Sequence, residues 1–97
     1  MRFDSGTASS SGQISNTTDR VLSIEFHARS DNAGAVFFGR SDVSITNGRE
    51  LLAGEVAVLD FSDGNSNPSS PAGSVLFNTF YVTVTGGSKI DWTVILF

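Results

Sequence analysis

Along residues 21–29 the chain alternates, with Leu22, Ile24, Phe26 and Ala28 on one side and Ser23, Glu25, His27 and Arg29 on the other. Successive side chains of an extended chain point to opposite faces, so a period of two marks a strand buried on one side. The last third repeats the pattern. Phe80, Val82 and Val84 share one face, and Ile90, Trp92, Val94 and Leu96 share another. No stretch carries a sustained helical period, and clusters of Gly, Asn, Asp and Ser recur at close spacing. The chain is therefore expected to be all-β: one small antiparallel β-sandwich or jelly-roll-like barrel of about six to eight strands. Periodicity alone leaves the connectivity open.

Between these segments the reading continues strand by strand. Ala35, Val36, Phe37 and Phe38 are apolar on both faces, as in a strand that is central or covered by a neighbour. Val43 and Ile45 begin a further strand that ends at Asn47-Gly48, residue types suited to a tight turn. Residues 51–55 make another turn. The strand that follows puts Val56, Val58 and Asp60 on one face and Ala57, Leu59 and Phe61 on the other. Residues 62–73 hold both prolines, so they read as an exposed loop and the best place for a functional tip. If Gly86-Gly87-Ser88 is a three-residue loop with a left-handed glycine, the last two strands form a hairpin. Val84 then faces Ile90, Val82 faces Trp92 and Phe80 faces Val94.

A chain of 97 residues hides only about two-thirds of its extended surface on folding. Its core is thin, and burial against a copy of itself or a partner is the expected supplement. The absence of cysteine removes disulfides, thiolate metal sites and a cysteine nucleophile together. From Ser5 to Thr18 the residues are nearly all small and polar, with Ile14 the one large apolar side chain. Such a segment buries too little to order itself. Residues 1–19 are thus expected to be a flexible N-terminal arm and residues 20–97 the β-sandwich domain, although Met1, Arg2 and Phe3 could pair as a short strand. Neither a secretion signal nor a membrane-length apolar run is evident, so a soluble protein made in the cytoplasm is expected. Nucleic acid is not an expected partner either: the net charge is −4, with one lysine and five scattered arginines, and phosphate binding needs clustered cations.

Catalytic and metal motifs are weak. His27 is the only histidine and has Glu25 as its same-face neighbour, but no strand-to-helix elbow exposes a serine to it, and it reads as a solvated or interface residue. Residues 60–65 place oxygen donors around Gly64, yet they lack the spacing and closing glutamate of a calcium loop and read as a polar turn. Asn16-Thr17-Thr18 fits the glycosylation pattern without a secretion signal to use it. No enzyme, cofactor or metal is expected. Tyr81, outward with Thr83 and Thr85, is available to stack on a sugar, whereas Trp92 points inward on the hairpin pattern. Phe37, Ile95 and Phe97 fall on faces that should be wet, and a contiguous patch of such residues marks an interface. With the apolar and charged start of the arm, the interface candidates are Met1, Arg2, Phe3, Phe37, Tyr81, Ile95 and Phe97.

The run Val36-Phe37-Phe38-Gly39, then Ser41-Asp42-Val43, Asn47-Gly48 and Leu51-Leu52-Ala53-Gly54-Glu55, resembles small structural proteins of tailed bacteriophages, especially phages of aquatic bacteria. Ala53 stands where proline is common in that group. Phe80-Tyr81-Val82 and Asp91-Trp92 resemble its closing segments. The resemblance implies a capsid decoration or cement protein, homotrimeric, seated on the major capsid protein at the virion surface, with no active-site residues to carry over. A tail or fibre-tip module recognising host carbohydrate is the alternative it leaves.

Overall fold

The computed structural model describes residues 2–61 and 75–97. Among them, eight strands form two four-stranded antiparallel sheets packed as a sandwich: β1 (Arg2–Ala8), β2 (Gly12–Gln13), β3 (Val21–Ala28), β4 (Val36–Gly39), β5 (Arg49–Leu51), β6 (Val56–Asp60), β7 (Tyr81–Val84) and β8 (Ile90–Leu96). The first sheet runs β1-β8-β3-β6 and the second β2-β7-β4-β5. The all-β sandwich is the fold that the alternation required.

The core lies between the sheets and is built from the inward half of each alternating strand. Ile24, Phe26 and Ala28 of β3 and Ile90, Val94 and Leu96 of β8 supply one wall; Val36 and Phe38 of β4, Leu51 of β5 and Val82 of β7 supply the other. At the centre the Phe26 ring stacks on Phe38 with centroids 4.2 Å apart and planes 15° from parallel. Phe80 leans on Phe26 at 5.9 Å and on Phe61 at 6.2 Å. One irregularity adjusts β3: its register against β8 shifts between Val21 and Ser23. Leu22 is the extra residue, which lets Val21 join Ile24 in the core as a β-bulge does.

Three expectations need correction. Residues 80–96 are not a hairpin. Gly86 and Gly87 do have positive φ, at 55° and 81°, but the loop carries the chain from the second sheet to the first, and β8 pairs with β1 and β3. Alternation fixes which face a residue takes, not which strand lies beside it. Val82 and Val94 both enter the core between the sheets, so inward alternation is satisfied whether the two strands share a sheet or face each other. The arch is locked to residues 32–35. Ser88, 2% exposed, accepts from the Gly34 N–H at 3.0 Å and donates to the Gly34 carbonyl at 3.1 Å. Asn32 spans the Lys89 backbone with bonds of 2.9 and 2.8 Å.

The expected N-terminal arm is likewise a strand over residues 2–8: β1 pairs along its whole length with β8, from Arg2 opposite Leu96 to Ala8 opposite Ile90. Its side chains are mostly exposed, as the composition implied, but backbone pairing does not depend on side-chain burial. Gly6 lets the Trp92 indole lie across β1, since a Cβ there would collide with Trp92 Cζ2. Third, Val43 and Ile45 are not a strand. Ser44 and Asn47 exchange backbone hydrogen bonds of 2.8 and 3.2 Å around Ile45-Thr46, and the strand begins only at Arg49. Gly48 follows at φ 116°, packed so closely on Val43 and the Phe38 carbonyl that no side chain fits.

Two substitutions test this core. Phe26→Ala is expected to cost about 3–5 kcal/mol, a large part of the roughly 5–15 kcal/mol available to a domain of this kind. Ser88→Ala is expected to cost about 1–3 kcal/mol by leaving buried Gly34 groups unpaired. Urea unfolding followed by Trp92 fluorescence measures both, and a Ser88→Ala midpoint equal to the parent's would show that the arch does not depend on this hydroxyl.

Candidate functional site

The outer face of the first sheet is a grid whose rows follow from strand register. One row runs Phe3, Ile95, Ser23, Asp60; the next Ser5, Thr93, Glu25, Val58; the third Thr7, Asp91, His27, Val56. Directly opposed residues on one face have Cβ atoms about 4.5–5.5 Å apart, so each row is a line of neighbouring side chains. Phe97 continues the outward alternation of β8, its N–H bonded to the Arg20 carbonyl at 3.0 Å. Phe3 is 72% and Phe97 55% exposed, and with half-buried Ile95 they make an apolar corner. Val56 and Val58, 49% and 62% exposed, make a smaller one along β6. Glu25 and Thr93 separate the two.

The far end of the grid is polar and tightly bonded. Arg29 grips Asp91 with both ends of its guanidinium, Nε to Oδ2 at 3.0 Å and Nη2 to Oδ1 at 3.1 Å. Thr7 donates to Asp91 Oδ1 at 2.5 Å, and His27 Nδ1 lies 3.9 Å from Oδ2. Bidentate pairing of this kind is geometrically specific. Hydrogen bonding from Arg29 holds the Asp91 carboxyl below its ordinary value against the opposing effect of partial burial, helped by Thr7 and the nearby charges of Arg29 and His27. The same bond raises the Arg29 guanidinium. In this cluster His27 serves an acidic neighbour, and the result is a staple joining β1, β8 and β3.

Of the interface candidates, Phe3, Ile95 and Phe97 are brought together. Arg2 is exposed beside them and pairs with Asp19 at 2.8 Å. Met1 lies outside the described residues, as do the proposed loop at 62–73 and most of the 60–65 turn. Tyr81 is half-buried on the second sheet between Gln13 and Gly39, away from the corner. Phe37 is a correction: expected to be an exposed apolar residue, it is 8% exposed. The loop after β4 folds back over that face, and the Val43 carbonyl accepts from Thr83 Oγ1 at 3.2 Å, Thr83 being the residue opposite Phe37. Sequence reasoning passed over Val56 and Val58 as interface residues, although the lack of charge between them was a visible signal. Among the described residues no group of three His, Cys, Asp or Glu side chains is placed to hold a metal ion.

Comparison with known protein families, with curated proteins and with solved structures gives no match.

The staple makes stability depend on acid. With its folded-state pKa depressed, Asp91 contributes stability that is present above the unfolded value of about 3.9 and is lost as pH falls through the lower folded value. Asp91→Asn is expected to be less stable than the parent at neutral pH and to converge with it in acid. Urea midpoints at a series of pH values measure this; parallel curves would remove Asp91 from the account.

Proposed function

We propose that this domain is a virion structural protein, a decoration or cement protein that attaches to the outer capsid shell of a tailed bacteriophage and stabilises it. The observation that carries the reading is the exposed apolar corner of Phe3, Ile95 and Phe97 on the outer face of the first sheet. A thin-cored domain has reason to cover such a patch, and a contiguous exposed apolar area marks an interaction site. The motif resemblance between residues 36 and 92 supplies the class of partner, the major capsid protein, and the homotrimer is part of the same proposal. In this reading the outer face of the first sheet meets the shell or a neighbouring copy, and the virion surface is where the protein resides.

The test uses capsids stripped of the protein. Parent protein is expected to rebind saturably with one set of equivalent sites per capsomer, while Phe3→Ser/Phe97→Ser, folded by circular dichroism, binds at least about tenfold more weakly, the equivalent of about 1.4 kcal/mol. Equal binding by the double variant would refute the role of the corner. Finding only a few copies per purified virion, as for a tail tip, would refute the decoration reading itself. Light scattering checks the trimer, which a monodisperse monomer at micromolar concentration would exclude.

A further inference from the structure

Among the described residues the first sheet ends on two strands that each have one neighbour, β1 and β6. Backbone groups of an antiparallel strand point alternately to one side and the other, so a single bond fixes the side for every second residue. Phe97 donates to the Arg20 carbonyl and Ala28 to the Glu55 carbonyl. The odd-numbered residues of β8 therefore face β3, and the even-numbered ones face β1, where they meet Arg2, Asp4, Gly6 and Ala8. Phe3, Ser5 and Thr7 are left with N–H and C=O directed away from the sheet. By the same count Ala57 and Leu59 bond to β3, while Val56 and Val58 turn theirs outward. The Ser5 N–H has only the neighbouring Asp4 carboxylate to donate to, at 2.9 Å, and the Val56 and Val58 backbone groups have no partner among the described residues.

Open edges are commonly guarded by lysine or proline. Neither strand carries one, and their outward side chains include the exposed Phe3, Val56 and Val58. The two edges also match each other. β1 and β3 both run antiparallel to β8, and β6 runs antiparallel to β3, so β1 and β6 point in opposite directions. A second copy set beside the first in the same orientation therefore brings its β6 antiparallel to β1, with the two outer faces on the same side. Outward groups must meet outward groups, which limits the register to steps of two residues. One register sets Phe3 opposite Val58 and Ser5 opposite Val56 of the next copy. A step one way sets Phe3 on Asp60, and a step the other way sets Asp4 on Glu55, where like charges repel.

We propose that β1 of one copy pairs edge to edge with β6 of the next in this register, and that this contact closes the homotrimer. The row that holds Phe3 and Ile95 then continues into Val58 of the next copy, and the two separate apolar patches of the outer face become one. Pairing like edges would stop at a dimer with the other edges still open, whereas pairing unlike edges in a closed ring leaves none. The inference rests on the trimer of the proposed function and draws nothing from shell attachment.

The chain has no cysteine, so an introduced pair reports on this contact alone. Directly opposed hydrogen-bonded residues have Cα atoms about 5.5 Å apart, within reach of a disulfide, whereas residues 5 and 56 of one copy stand on opposite edges of a four-stranded sheet. Ser5→Cys/Val56→Cys, oxidised in the full chain at micromolar concentration, is expected to give covalent trimers on a non-reducing gel. Ser5→Cys/Val58→Cys, one step out of register, is expected to cross-link at least about tenfold more slowly. Val58→Lys, folded by circular dichroism, is expected to fall from trimer to monomer by light scattering. Absence of covalent product from the in-register pair, or equal rates for the two pairs, would overturn the edge contact. A Val58→Lys protein that stays trimeric would overturn it too and leave the trimer standing. A monomeric parent removes the trimer and this contact together, and capsid rebinding still judges shell attachment on its own.

Discussion

The Phe26–Phe38 stack is where the two sheets are held in register. Phe26 stands in the middle of β3, the strand that pairs with both β8 and β6, and Phe38 stands in β4, which pairs with both β7 and β5. Each ring therefore belongs to a strand with neighbours on both sides, and the contact transmits through two full ladders. Phe80 and Phe61 extend the aromatic contact toward the end where the chain enters the residues after β6. Phe is suited to this place because it buries a large area without a polar atom to satisfy. In a domain this small, little else spans the gap between the sheets at comparable area.

Stability at the edges has a different origin. β1 contributes few buried side chains, so its place depends on the ladder to β8 and on side-chain ties at intervals along it. Arg2 reaches Asp19, Gly6 receives the Trp92 ring, and Thr7 reaches the Arg29–Asp91 pair. The polar ties leave the outward apolar residues of β1 and β8 uncovered, and that division gives the first sheet one bonded end and one adhesive end. The proposed shell contact depends on β1 being in place.

What the sequence revealed followed the kind of information each pattern carries. The alternation of β3 from Ile24 onward and of β6 and β8, the glycines of the arch and the turn at residues 51–55 were readable, because face and turn geometry are local properties; the bulge that puts Val21 rather than Leu22 in the core was not. Pairing was not. β7 and β8 look like a hairpin since nothing local distinguishes a turn within a sheet from an arch between sheets; the Ser88 and Asn32 bonds that decide it come from residues far apart in the chain. Residues 2–8 were misread because composition reports on side-chain burial, whereas their strand is held by backbone groups. Phe37 was assigned to the surface because the loop that covers it has no periodicity to announce where it folds. For the surface, Phe3, Ile95 and Phe97 were each suspected, but only register shows them to be adjacent.

The pairing of β1 with β8 also sets the order of events in folding. Arg2 sits opposite Leu96, so closing this ladder brings together positions separated by nearly the whole described chain. Contacts of such high sequence separation are slow to form, and β-sandwiches dominated by them fold in milliseconds to seconds. Until β1 docks, one edge of β8 is an open template for any extended segment. A β1 from a second molecule satisfies it equally well, because the same residues meet in the same register and only the short crossing through Ser9, Ser10 and Ser11 has to extend. The edge strand is thus exchangeable between copies, and refolding at high concentration would yield strand-swapped assemblies alongside subunits that keep their own β1.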